Sequence, residues 1–335
     1  MKADDLSGAT VGGRFECTEL LGEGSMGAVY RANDLLTGDV VAVKVMHGFV
    51  QKSASFRERF QQEAMALKRL ADPGCVRLIE SGVDEHTGKL FMAVEFAPGE
   101  DLLALRGSLS VPESIEVALR IGEALVAAHS AGILHRDLKP ENIKLVRSER
   151  GLGVKVLDFG LAKVIDIDPD EDITTTSRRR HLTKAGEILG TPQYMAPELC
   201  EAKGDPTPAT DLYALGLVLF EMIEGHPAFD GRSPLEILSK QISEPPPALK
   251  TDVPADVRNL VAWTLQKDPN DRPQTAEQVV EILERLHHKA ATPATPGPAQ
   301  LSVESPPVRP ERAKIWAAAL VGIIVLLMLM AWGMR

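Results

Sequence analysis

Residues 135–145 read HRDLKPENIKL, which puts a histidine, an arginine, two lysines, two carboxylates and a side-chain amide into eleven positions. That is too much charge for a core segment, because an unpaired buried charge is strongly destabilising. It is also too ordered for a solvated tail, since apolar Leu138, Ile143 and Leu145 interleave it. An aspartate, a lysine and an asparagine held this close suit a phosphoryl group in transfer with a metal ion beside it. The rest of the chain then has to supply the other parts.

Upstream, residues 14–95 read as short strands with one helix among them. RFECTELLGEG, GAVYRAND and VVAVKVM are apolar or β-branched runs broken by glycine and polar turns, and CVRLIESG and LFMAVEF are two more. Ser55 and Glu58 form an S-x-x-E start for the helix that carries Glu63. Between the first two strands lies GEGSMGAV, residues 22–29, whose glycines let backbone amides approach phosphate oxygens. A plain hairpin turn is the bland alternative, and a dinucleotide fingerprint would need a helix where AVYRAND reads as a strand. Lys44 ends VAVK, amid Val41, Ala42, Val43 and Val45, and so needs a phosphate or a carboxylate partner, with Glu63 the natural candidate.

Downstream, Ser110-Val-Pro-Glu113 reads as a helix start, and Ile115, Leu119, Ile121, Leu125 and Ala128 follow at helical spacing. More helices are expected over about 209–225, 234–242, 255–266 and 275–288. VLDFG, residues 156–160, ends an apolar strand on Asp158, a carboxylate able to hold a divalent cation. GTPQYMAPE at 190–198, DLYALG from Asp211 and DPNDRP with Arg272 complete the series.

Each fragment is modest alone, but their order and intervals closely resemble the eukaryotic-like (Hanks-type) serine/threonine protein kinases, over roughly residues 14–288. The resemblance implies an α+β bilobal fold, with a small β-rich N-lobe over about 14–97 and a larger helical C-lobe over about 98–288, after an N-terminal segment 1–13. It also implies ATP and Mg²⁺ (or Mn²⁺) as cofactors and protein substrates as partners. Leu21, Gly22, Glu23, Gly24, Ser25, Met26, Gly27, Ala28 and Val29 would cover the nucleotide. Ala42, Lys44, Glu95 and Ala97 would line its site, the last two offering backbone groups to adenine just after Val94. Glu63 would orient Lys44, Asp137 would act as catalytic base, Lys139 would neutralise the γ-phosphate, and Asn142 and Asp158 would hold the metal. Glu198 would pair with Arg272, and Asp211 would brace the loop at 135–145. Lys139, two residues after Asp137, and Thr191, bonding toward both, follow the serine/threonine pattern rather than the tyrosine one. Lys144 stands where an apolar residue often floors the adenine, a place its methylene stem would fill. The alternative to an active enzyme is a membrane-anchored pseudokinase scaffold, whose signature would be a missing lysine, aspartate or asparagine; none is missing. Small-metabolite kinases fit less well, lacking the GTPQYMAPE segment.

Net charge is −10 and gives no basic footprint for nucleic acid. Three scattered cysteines suggest a reducing compartment, and MKADDLSGAT is no signal peptide. Residues 289–314 are rich in proline and alanine and read as a juxtamembrane linker. Ile315 to Trp332 carries no charge and, as a helix, would span roughly 27 Å, which fits one membrane crossing. Arg309, Arg312 and Lys314 before it place the kinase domain on the cytoplasmic side of the cell membrane. Only residues 333–335 follow, a departure from the many bacterial transmembrane kinases that carry an extracellular sensor beyond the span. This layout resembles bacterial transmembrane kinases, for which Thr183, eight residues before Thr191, would be the activating phosphothreonine and Arg136 its receptor. Phosphorylation would occur in trans within a transient homodimer.

Overall fold

The computed structural model describes residues 5–24, 27–47, 54–148, 151–159, 191–201, 203 and 205–291. The expectations for Ser25, Met26, Thr183, the linker 289–314 beyond Ala291 and the span 315–332 lie outside that set. Met1–Ala291 forms one compact unit. Among the described residues no helix is long and apolar enough to cross a membrane.

Six antiparallel strands make the first half: β1 (Thr10–Val11), β2 (Phe15–Glu23), β3 (Gly27–Asp34), β4 (Val40–Met46), β5 (Leu78–Val83) and β6 (Leu90–Glu95), in the order β1-β2-β3-β4-β6-β5. Alternation along each strand decides which side chains serve the core. Val41, Val43 and Val45 of β4 are buried with Phe15, Tyr30 and Phe91 on one face. Ala42 and Lys44 therefore share the opposite face, toward the cleft. Helix α1 (Ala54–Leu67) contributes Phe60, Ala64 and Leu67 to the larger core. Ser55, expected to start it as a cap, falls inside its first turn.

The second half is helical. Helix α2 (Val111–Ser130) opens on a capping box: Ser110 accepts from the Glu113 N–H, and Glu113 accepts from the Ser110 N–H. Ile115, Leu119, Ile121, Leu125 and Ala128 are all buried on its inner face. After the short α3 (Pro197–Cys200), helix α4 (Pro208–Glu224) is buried continuously from Ala209 to Ile223, as befits a helix apolar all round. Helices α5 (Pro234–Ser243), α6 (Ala255–Thr264) and α7 (Ala276–Ala291) surround it. Gly216 is obligatory on α4, because a Cβ there would lie 2.2 Å from Thr264 Oγ1 on α6.

A second sheet, β7-β8-β9, was not foreseen as a unit: Glu100–Asp101, Ile143–Ser148 and Gly151–Val156. Its hairpin holds the segment before β8 and the one after β9 side by side. That brings HRDLKPEN and Asp158 to the same place.

Candidate active site

A cleft of about 790 Å³ runs between the six-stranded sheet and the helical half. Leu21, Gly22, Glu23, Gly24, Gly27, Val29, Ala42 and Lys44 line it from the sheet, Glu95 and Ala97 from the connection, and Asp137, Lys139, Asn142 and Asp158 from below. Among the described residues expected to cover the nucleotide, Ala28 does not line it. Ala28 is buried in the sheet core, because alternation puts it on the face opposite Val29. Sequence reading also passed over Leu67, Leu78, Met92 and Leu157, which supply apolar wall. Their signal is only membership of a buried element, which does not tell cleft from core.

The glycines divide by cause. Gly27 is required by the chain itself, since a Cβ would lie 2.3 Å from the Val45 carbonyl on β4. A Cβ on Gly22 or Gly24 would meet nothing within 4 Å. No packing demands glycine at those two positions, and both border the cleft. At the other end the Ala97 N–H and C=O make no hydrogen bond within the described residues, leaving both available to a base edge.

Asp211 organises the loop at 135–145. It is buried at the start of α4, where Oδ2 accepts from the His135 N–H at 2.9 Å and meets His129 Nε2 at 2.8 Å. Its Oδ1 accepts from the Arg136 N–H at 2.8 Å. That clamp holds Arg136 at φ 67°, a left-handed conformation uncommon outside glycine. Burial pushes the His135 imidazole below its ordinary pKa and keeps it neutral. Its Nε2 then donates to the Leu157 carbonyl (2.8 Å), and Nδ1 accepts from the Asp137 N–H (3.3 Å). One ring thus joins the Asp137 loop to the Asp158 turn.

Asp158 has φ 57°, which turns its carboxylate toward β4. Lys44 Nζ lies 2.8 Å from Asp158 Oδ2, so the lysine pairs with Asp158 and not, as expected, with Glu63. Glu63 is buried on α1 and does not line the cleft. Enclosure by the cleft walls works to raise the Asp158 carboxyl, but the Lys44 ammonium and its hydrogen bond, with Lys139 beyond them, hold it below the ordinary carboxylate range. The group stays ionised and fit to hold a cation.

Lys139 Nζ bonds Asp137 Oδ2 at 2.7 Å. Asn142 Nδ2 donates to the Asp137 carbonyl at 2.8 Å and leaves its Oδ1 as an acceptor. The Thr191 hydroxyl makes no bond to Asp137 or Lys139 among the described residues, contrary to expectation; Lys139 and Asp137 bond each other. Lys144 lines the cleft, and its Nζ lies 2.7 Å from Oδ1 of Asp101, another lining residue. Arg136 has no ion-pair partner for its guanidinium among the described residues.

Away from the cleft, Arg272 is 0% exposed and uses all five donors: two on Glu198 (2.9 and 2.8 Å), and one each on the Gln266, Lys267 and Ala209 carbonyls. This is the expected structural pair, complete in both partners.

The family model described as protein kinase domain matches residues 15–283. Among curated proteins, serine/threonine-protein kinase PknA of Mycobacterium tuberculosis is 37% identical over 269 residues, covering 78% of this chain and 58% of that one. Serine/threonine-protein kinase pkn3 of Myxococcus xanthus is 36% identical over 285 residues, covering 82% and 50%. The chain spans little more than half the length of these relatives. Among solved structures, the Mycobacterium tuberculosis PknI kinase domain superposes with a TM-score of 0.63 at 26% identity, over 84% of this chain and 99% of that one.

Proposed function

This chain belongs to the protein kinase family, of the Hanks-type serine/threonine branch, and on that premise we propose that it transfers the γ-phosphate of ATP to serine and threonine hydroxyls of proteins. The observation that carries the reading is the convergence of Lys44, Asp137, Lys139, Asn142 and Asp158 on one cleft. Gly22 and Gly24 leave room for phosphate oxygens to approach the backbone, and Lys44 faces the same space. Asp137 is placed to accept the proton of an incoming hydroxyl as its oxygen bonds to the γ-phosphorus and the bond to the β-phosphate oxygen breaks, releasing ADP. Lys139, beside Asp137, offsets charge that gathers on the phosphoryl oxygens.

Asn142 Oδ1 and the Asp158 carboxylate are hard oxygen donors, the kind Mg²⁺ takes. Among the described residues no group of three or more His, Cys, Asp or Glu could hold a metal, so such an ion would draw its other ligands from phosphates and water. Bound there, it would neutralise charge on the β- and γ-phosphates.

Asp137→Asn, Lys44→Met and Asp158→Asn should each lower transfer of labelled phosphate from Mg-ATP by on the order of 10²–10⁴ while the protein still melts cooperatively. A wild-type chain that binds ATP and transfers nothing would favour the scaffold reading. Substantial transfer by Asp137→Asn would remove the aspartate from its role.

The finer reading rests on the sequence outside the described residues. The uncharged run 315–332 and the basic residues before it support a single-pass anchor in the cell membrane with the kinase domain cytoplasmic. Thr183 supports activation by phosphorylation in trans between transiently paired copies. A phosphate there would bring about −1.5 to −2 charges and three acceptor oxygens, and Arg136 is the cation suited to receive it.

A further inference from the structure

Strand β4 stops at Met46, and the next residue, His47, meets the glycine-rich turn. Its Nε2 lies 3.0 Å from the Gly24 carbonyl oxygen. A carbonyl only accepts, so Nε2 carries the proton and donates. The same nitrogen stands 3.9 Å from Oε1 of Glu23, beyond hydrogen-bond range but within reach of its charge.

The other backbone group of Gly24 is also engaged: its N–H donates to the Gly27 carbonyl at 2.9 Å. Gly27 pairs with Met46 in the β3–β4 ladder, and a Cβ on it would lie 2.3 Å from the Val45 carbonyl. The two ends of the turn, Gly24 and Gly27, are therefore seated on residues 45–47. Lys44, which lines the cleft, immediately precedes them. Residues 44–47 thus fix both the cleft lysine and the ends of the turn that borders the same space.

Gly24 is exposed, so water could satisfy its carbonyl, and avoidance of an orphaned acceptor does not account for the imidazole. The His47 side chain is 18% exposed, and His47 does not line the cleft. What the contact supplies is order. A peptide unit is planar, so holding the Gly24 carbonyl takes away backbone freedom that glycine otherwise has in excess. A turn already held has less freedom to lose when phosphates settle against it. We propose, on the nucleotide reading above, that His47 is a positioning residue for the phosphate end of the cleft, acting through the Gly24 carbonyl. The base end is walled by other residues, among them Ala42, Val94 and Ala97. The effect of His47 therefore falls on the phosphates of the nucleotide and spares its nucleoside.

The test uses the full chain and compares two ligands by calorimetry: Mg-AMP-PNP, an ATP analogue whose terminal phosphate is not transferred, and adenosine. His47→Phe keeps a ring and loses the donor. It should weaken Mg-AMP-PNP about three- to fivefold, the loss of one hydrogen bond, and leave adenosine within about twofold of wild type. His47→Gln, whose amide keeps an N–H, should recover part of the loss. Adding Glu23→Gln to His47→Phe should leave the loss in place. A return to wild-type affinity in that double variant would overturn the proposal, by assigning the effect of the histidine to the Glu23 charge. An unchanged Kd for Mg-AMP-PNP in His47→Phe, or equal losses for both ligands, would overturn it too, the second by making His47 a generally structural residue. Should His47→Phe reduce the folded fraction, His47→Leu, smaller and also without a donor, is judged by the same split. A wild type with no measurable affinity for Mg-AMP-PNP would instead sink the nucleotide reading, and this proposal with it.

Discussion

At the scale of single residues, each cleft lysine is set by one carboxylate: Lys44 lies 2.8 Å from Asp158 and Lys144 lies 2.7 Å from Asp101. Sequence alone singled out Lys44, Glu63 and Asp158 but joined the first two. The partner of Lys44 is set by the left-handed turn at Asp158, which no local pattern announces. Glu198 and Arg272, joined by the family resemblance alone, do pair, and the burial of Arg272 that makes the pair necessary is visible only in the structure. Lys144 is the instructive case. It lines the cleft, and Asp101, nearly half exposed and also in the lining, pairs with its ammonium. If the stem is what floors the base, Lys144→Leu should leave the KM for ATP within about twofold of wild type. Lys144→Ala, which deletes three methylenes of floor, should lose about 1 kcal/mol of contact, roughly a fivefold rise in ATP KM. Equal rises in both variants would assign the effect to the ammonium.

At the scale of elements, strands β3 and β4 and the core face of α2 were readable because alternation and helical spacing are strong local signals. The hairpin β8–β9 was not, because Ile143–Ser148 reads IKLVRS, a short polar-apolar mixture whose pairing with Gly151–Val156 is visible only in register. Two element-level outcomes can be measured. The start of α2 is pH-sensitive: Arg147 first, then the Ser110 N–H and hydroxyl, hold the Glu113 carboxyl down at about 2 from 4.5. The native carboxyl binds a proton less readily than the unfolded one, so its contribution is complete above 4.5 and disappears as pH falls through 4.5 toward 2. Denaturant titrations should show Glu113→Gln about 1 kcal/mol less stable than wild type at pH 6, with the gap narrowing steadily as the pH is lowered below 4.5. The junction of α3 with the loop after α6 behaves differently. Glu198→Ala strands the fully buried Arg272 cation and should cost roughly 3–5 kcal/mol, read as a large drop in denaturation midpoint. Replacing both partners by apolar residues should cost clearly less than Glu198→Ala alone. Equal losses would show that charge burial is not the main cause.

At the scale of the whole molecule, every group placed in the cleft comes from the unit that ends at Ala291, three residues beyond the boundary expected from sequence. On the anchored reading proposed above, chemistry and anchoring belong to different stretches of the chain. A fragment 1–291 should stay in the supernatant after high-speed centrifugation and should phosphorylate an added acceptor protein at the rate of the full chain. If the uncharged run 315–332 is the anchor proposed above, the full chain should sediment with membranes and resist extraction by high salt and alkaline carbonate, because salt does not screen apolar burial. The two should differ most in activating themselves. Phosphorylation between copies is second order, so the fragment's lag before full activity should shorten as bulk concentration rises. For the full chain in phospholipid vesicles the lag should depend on copies per vesicle, not on vesicle concentration, since confinement to one surface sets the local concentration. Thr183→Ala should abolish the lag and leave a low, constant activity in both forms. Carbonate extraction of the full chain would remove the anchor from this account. Full activity of Thr183→Ala would remove the switch and leave the anchor standing.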